Sequence, residues 1–107
     1  MNTETQHCID DCLNCQATCE ATLSYWLARD ESQRDRSAML VLLDCADICR
    51  VTAAFLLRRS PRYPEMCRFC AEICAACAGW CERFPRDTVM MECAAACRAC
   101  GKTCEAP

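Results

Sequence analysis

The spacing of one residue type sets the pattern of this chain. Cys8, Cys12, Cys15 and Cys19 read C-x3-C-x2-C-x3-C, and the spacing returns at Cys70, Cys74, Cys77 and Cys81 and at Cys93, Cys97, Cys100 and Cys104. At about 100° per residue such positions fall on a helical stripe about 60° wide and three turns long. Cys45 and Cys49 form a shorter pair, and Cys67 extends the third stripe at its N-terminal end. Helix breakers separate the segments: Asp30 to Ser32, Ser60-Pro61 with Pro64, and Pro85. The pattern predicts helices over about 4–28, 33–59, 64–83 and 88–104. Ser32 and Asp87 are the predicted N-caps of the second and fourth helices, and Pro64 suits the first turn of the third. No alternating Val/Ile/Thr run or Asn-Gly turn predicts a strand. Short connections make consecutive helices antiparallel neighbours, so the expected fold is an all-α, up-down-up-down four-helix bundle with cysteines lining the core, in one domain spanning 1–107.

Two further stripes bear on association. The second helix is apolar almost all round, with Leu40, Leu42, Leu43, Ile48, Val51 and Leu56 among its residues. The third carries Phe69, Ile73, Ala76 and Trp80 away from its cysteines. A bundle buries one face per helix, so this surplus predicts either self-association or side-by-side packing of neighbours.

Composition narrows the chemistry. Apolar residues make up 53% of the chain, and 12 basic and 15 acidic residues leave a formal charge of −3. The mixed signs argue against nucleic acid or an anionic membrane as partner. No apolar run approaches the ~20 residues of a membrane span. Met1 to Gln6 is polar and lacks an export signal, so a cytoplasmic location is expected. Fifteen cysteines in 107 residues mark either a disulfide scaffold or a metal site. The count is odd, and only two glycines and four prolines are present, whereas small disulfide scaffolds are loop-rich.

The cysteines resolve into seven C-x3-C pairs, leaving Cys67 over. Residues four apart on a helix lie about 6 Å apart, so two thiolates can approach one soft ion, as two-coordinate Cu(I) prefers. Bridging thiolates bring the ratio toward one Cu(I) per cysteine, which leaves a buried core near neutrality. Zinc held by four thiolates leaves two negative charges per site. Zinc or cadmium sequestration is the alternative metal reading, and a bundle whose reduced cysteines merely fill the core is the structural one. The spacing is not that of an iron–sulfur ferredoxin. C-x-x-C-H is absent, and no strand accompanies a C-x-x-C. No catalytic residue is expected.

The starts of the first and third helices and the end of the fourth should share one end of the bundle. That end gathers His7, the only histidine, with Cys8, Met66, Cys67 and Cys104, and is the expected entrance. Cys8 and Cys67 are expected in first turns, where the helix dipole favours a thiolate. Leu23, Trp26, Leu42, Phe84 and Val89 should plug the other end. Met90 and Met91 read as core filling rather than ligands, and Met39 as core or interface.

H-C-x3-C-x2-C-x3-C at the start, C-R-F-C-A-E-I-C-A-A-C in the middle and E-C-A-A-A-C-R-A-C at the end resemble the bacterial copper storage proteins over roughly residues 7–105. The resemblance implies a four-helix bundle holding many Cu(I) ions on the fifteen cysteines, cytosolic storage and a tetramer. His7 matches a histidine at the bundle mouth. Members often carry another histidine just before the first cysteine of the last helix, where this chain has Met90-Met91-Glu92.

Overall fold

A computed structural model describes residues 2–29 and 36–107. Four helices follow one another: α1 (Thr3–Leu27), α2 (Arg36–Leu57), α3 (Tyr63–Cys81) and α4 (Thr88–Glu105). No strand occurs among the described residues. The predicted boundaries hold to within three residues; the proposed Ser32 cap and the start at 33 lie outside the described residues. Each helix packs against its sequence neighbours, and α4 closes against α1. The result is an antiparallel square bundle about 45 Å long. No described helix is long and apolar enough to cross a membrane.

Local chemistry fixes the ends. The Asn2 side chain accepts from the Thr5 N–H at 2.7 Å and caps α1. Asp87 caps α4 as expected, accepting from the backbone N–H groups of Val89 and Met90. Pro64 lies in the first turn of α3. At the end of α2, Arg59 takes the left-handed conformation (φ 54) usually given to glycine. The Ser60 N–H then bonds back to the Phe55 carbonyl at 3.0 Å, closing the helix and turning the chain toward α3.

The buried stripes continue past the cysteines. On α1 they run on to Thr22 and Trp26; on α2 they comprise Ala38, Leu42, Cys45, Cys49, Thr52 and Leu56. Leu42 and Trp26 are buried at the closed end, with Leu23 and Phe84 packed against them and Val89 half-buried. Trp80 departs from the expected outer stripe of α3. Its ring lies 5.6 Å from Trp26 and 4.9 Å from Phe84, so it joins the plug. The two methionines separate: Met90 is fully buried and Met91 is exposed, because they lie about 100° apart on the helix. Met91 is therefore not core filling. Met39 is half-buried.

Candidate metal centre

All fifteen cysteines are free and buried. Their sulfurs form a column along the bundle axis, because three helices present the same narrow stripe inward and α2 adds a pair at mid-height. Neighbouring Sγ atoms stand 3.5–4.0 Å apart across helices, as in Cys8–Cys104 (3.5 Å), Cys12–Cys100 (3.6 Å), Cys15–Cys97 (3.7 Å), Cys49–Cys74 (3.7 Å) and Cys19–Cys93 (3.9 Å). Within one helix, Cys15–Cys19 (4.0 Å) and Cys70–Cys74 (3.9 Å) come as close. The closest sulfurs thus meet mainly between helices rather than along the C-x3-C pairs.

The column divides into overlapping groups whose sulfurs all lie within 4.8 Å of one another. Cys8, Cys67 and Cys104 form the first. Cys104 links it to Cys12, Cys70 and Cys100. Cys100 links that set to Cys15, Cys49 and Cys74, and Cys15 links onward to Cys19, Cys45 and Cys97. Cys19 and Cys97 are shared again with Cys77 and Cys93. Cys81 lies beyond, beside Cys77 and Cys93. An ion bound anywhere in this series always has a shared sulfur leading to the next position.

The thiols sort by acidity. Cys8, Cys15, Cys45, Cys70, Cys93 and Cys100 are pulled below the ordinary thiol range. In each the largest cause is a neighbouring thiol, whose S–H stabilises a thiolate there. For Cys100 the neighbouring thiols are led by Cys104 and then Cys12, and the value falls to about 7. Other thiols of the column move the other way: Cys104 and Cys49 are raised, chiefly by Cys100, and Cys97 chiefly by Cys15. Arg98, off the stripe, pairs with Glu82 at 2.7 Å on the surface.

Three of the residues expected at the entrance come together. Cys8, Cys67 and Cys104 meet at one end, and Cys67 and Cys104 are the only cysteines with any exposure, 1% and 2%. His7 is exposed immediately before Cys8, and Met66 is half-buried beside Cys67. The dipole argument is corrected. With α1 beginning at Thr3 and α3 at Tyr63, Cys8 and Cys67 sit one turn in, where the dipole has faded. Cys8 is acidified instead by the Cys104, Cys12 and Cys67 thiols. For Cys67 the Cys104 thiol lowers the value, but Cys8 and burial outweigh it and push it up to about 12.

Sequence reasoning missed the contacts behind the plug. The Trp26 indole N–H donates to the Met90 thioether at 2.9 Å. Nearby, the Tyr25 hydroxyl donates to Asp87 at 2.7 Å, and Arg29 pairs with Asp87 at 2.8 Å. The visible signal was Met90 itself, three residues before Cys93 on the α4 stripe.

A family model described as Csp, copper storage protein, matches residues 1–107. The uncharacterized cysteine-rich protein YhjQ of Bacillus subtilis (strain 168) is 32% identical over 106 residues, covering 97% of this chain and 95% of that protein. The Cu(I)-bound copper storage protein BsCsp3 superposes with a TM-score of 0.90 at 27% identity, over 96% of each chain. The copper storage protein Ccsp of Streptomyces lividans, loaded with 10 copper equivalents, superposes with a TM-score of 0.89 at 31% identity, over 95% of this chain and 81% of that one. A cytosolic copper storage protein from Streptomyces lividans, loaded with five coppers, superposes with a TM-score of 0.88 at 31% identity, over 95% of this chain and 89% of that one. The inward cysteine stripes and the match along the entire sequence agree: the chain belongs to the copper storage protein family.

Proposed function

We propose that this protein stores Cu(I) in the cytosol, taking many ions per chain on Cys8, Cys12, Cys15, Cys19, Cys45, Cys49, Cys67, Cys70, Cys74, Cys77, Cys81, Cys93, Cys97, Cys100 and Cys104, and that it catalyses no reaction. The carrying observation is the unbroken series of sulfur groups that share corners. Each entering ion displaces a thiol proton, and a shared thiolate bridges it to the next ion. Exchange of one thiolate for another then moves ions along the column. His7 and Met66 act at the entrance with Cys8, Cys67 and Cys104. Thioether and thiolate donors favour Cu(I) over harder ions.

Zinc has one observation in its favour. A tetrahedron of sulfurs about 2.3 Å from zinc has edges of roughly 3.8 Å, close to the spacing within each group of four. Sharing of corners counts against it. Four zinc ions on the twelve cysteines of the four-membered groups leave four negative charges in the core, whereas twelve Cu(I) ions leave none. A buried excess of that size is costly.

Anaerobic Cu(I) titration of the reduced protein against a competing chelator tests the reading. Saturation at roughly one ion per cysteine, about 10–20 per chain, is expected from bridging thiolates. Saturation at two to four ions, with zinc held as firmly, would replace it with zinc sequestration.

Self-association completes the proposal, with a tetramer as its expected form. Leu40 and Leu43 on α2 and Phe69 on α3 are 45%, 42% and 52% exposed, and Ile48, Val51, Phe69 and Ile73 line a groove between the two helices. A second copy presenting the same face would cover it. Phe69→Glu with Leu43→Glu should give a monomer by light scattering; a wild-type monomer at tens of micromolar would remove this part.

A further inference from the structure

At the end where Cys8, Cys67 and Cys104 meet, the inward stripes run one position past the sulfurs. On α1 the position before Cys8 is Thr5, on α3 the position before Cys67 is Tyr63, and on α2 the position after buried Leu56 is Arg59. These four residues, with Ser60 and Pro61, line a cavity of about 260 Å³. In the square bundle α1 and α3 stand diagonally, each packed against α2 and α4. A cavity that touches both therefore lies over the bundle axis, outside the Cys8–Cys67–Cys104 group.

The charge of this cavity is set by one side chain. Three arginines stand at the corner between α2 and α3. Arg62 pairs with Glu65 at 3.2 Å, and Arg58 lies over the Phe55 ring at 4.3 Å. The Arg59 guanidinium has no such contact among the described residues, and it is the one that lines the cavity. No carboxylate lines the cavity beside it. The Arg59 backbone is left-handed (φ 54), a strain that glycine would avoid and that gathers at binding sites. Thr5 is half-buried in the wall, and Arg59 and Tyr63 stand exposed at the rim.

A cation at this point suits the form in which thiols carry Cu(I). One Cu(I) held by two thiolates bears one negative charge, and carboxylates on the carrier add to it. We propose that this cavity is a docking vestibule for the anionic Cu(I) complex of a small, carboxylate-bearing thiol, with Arg59 as the residue that receives the carboxylate. The proposal rests on the Cu(I) storage reading. A guanidinium and a carboxylate form charge-assisted hydrogen bonds, and the Thr5 and Tyr63 hydroxyls supply further donors. A carrier held there has its copper over Cys8, Cys67 and Cys104. The transfer is a ligand exchange. A protein sulfur bonds to copper, one carrier sulfur leaves it, and the proton of the protein thiol goes to the departing carrier thiolate. A second exchange frees the second carrier thiol, and copper stays Cu(I) throughout. The reverse steps unload the column. Arg59 is a positioning residue, since it touches the carrier and not the metal.

The test follows Cu(I) transfer into the reduced, metal-free full chain by anaerobic stopped flow, read by the luminescence of thiolate-bridged Cu(I). Two donors are compared: the Cu(I) complex of glutathione, and that of glutathione diethyl ester, which has the same thiol and no carboxylate. Arg59→Gln should slow transfer from the glutathione complex about tenfold at low salt, as loss of electrostatic steering does. The difference should shrink as salt screens the charge. Arg59→Lys should recover most of the rate, and neither variant should change transfer from the ester complex. The number of ions held at saturation should stay the same, because no sulfur is altered. Equal rates for wild type and Arg59→Gln with the glutathione complex would overturn the proposal. So would equal slowing with both donors, which would make Arg59 a support of the turn and nothing more. If circular dichroism shows Arg59→Gln poorly folded, wild type alone decides: its preference for the glutathione complex over the ester should fall with salt, and a preference that is absent or indifferent to salt overturns the vestibule. A wild-type chain that takes Cu(I) from neither donor instead removes the storage reading.

Discussion

The two ends of the bundle are built from the same four stripes and finish them differently. At the proposed entrance the stripes end in sulfur: Cys8, Cys67 and Cys104 meet just below the surface, with exposed His7 and half-buried Met66 beside them. At the other end they finish in rings. Trp26 lies edge-on to Trp80 and Phe84 at 5.6 and 5.7 Å, the Met90 sulfur is tied to the indole, and Tyr25, Arg29 and Asp87 interlock outside. One end holds groups able to ligate a soft metal, and the other holds groups that bury area. The proposed loading along the axis would need this asymmetry, because the fold must persist when no metal is bound.

Breaking the closed end should therefore cost most in stability. The reduced, metal-free chain is expected to be helical by circular dichroism, its thiols packing as small apolar groups. Trp26→Ala should destabilise that form by about 3–5 kcal/mol in urea unfolding, as for other buried aromatics. Cys67→Ser at the entrance should cost far less, since that site is near the surface. Equal losses at the two ends, or a coil without metal, would abolish the distinction.

Breaking the entrance should act on rates instead. His7→Ala, Met66→Leu and Cys67→Ser together should slow copper uptake and removal about tenfold, equivalent to about 1.4 kcal/mol on the barrier. Capacity should fall by only an ion or two, because the groups below keep their sulfurs. Stopped-flow transfer to and from a chelator measures both quantities. Unchanged rates in this variant, with acceleration by Leu23→Ala, would place the entrance at the aromatic end.

The periodic part of this architecture was legible from spacing alone. A cysteine stripe fixes which face turns inward, and four inward faces with short connections fix an antiparallel bundle. The capping of α4 by Asp87 followed from local chemistry, which needs no tertiary information. The grouping of sulfurs did not follow. C-x3-C spacing describes neighbours on one helix, while the closest sulfurs cross between helices, and their pairing depends on the relative height of the helices. Trp80 was misplaced for a related reason: a residue beside the core face of α3 is drawn in because Trp26 and Phe84 leave a site for its ring. Met90 and Met91 read alike as a pair, and only the phase of α4 separates them.

The smallest expected effect lies in the polar latch outside the rings. Burial pushes the Asp87 carboxyl up. The Tyr25 hydroxyl, the Met90 and Val89 N–H groups and the Arg29 guanidinium outweigh it and hold the group below the usual carboxylate range. A folded value below the unfolded one means the ionised carboxylate adds stability at pH values above the unfolded range, near 3.9. That contribution fades as pH falls through the lower folded value. Asp87→Asn keeps a capping acceptor for α4 and removes the charge. Metal-free wild type should thus exceed the variant in stability at pH 7, with the gap closing as pH drops below about 4. His7, Met66 and Cys67 take no part in this latch, so the triple variant at the entrance should show the same pH-dependent gap when Asp87→Asn is added to it. A gap that the entrance substitutions abolish would mean the two ends are coupled rather than independently built.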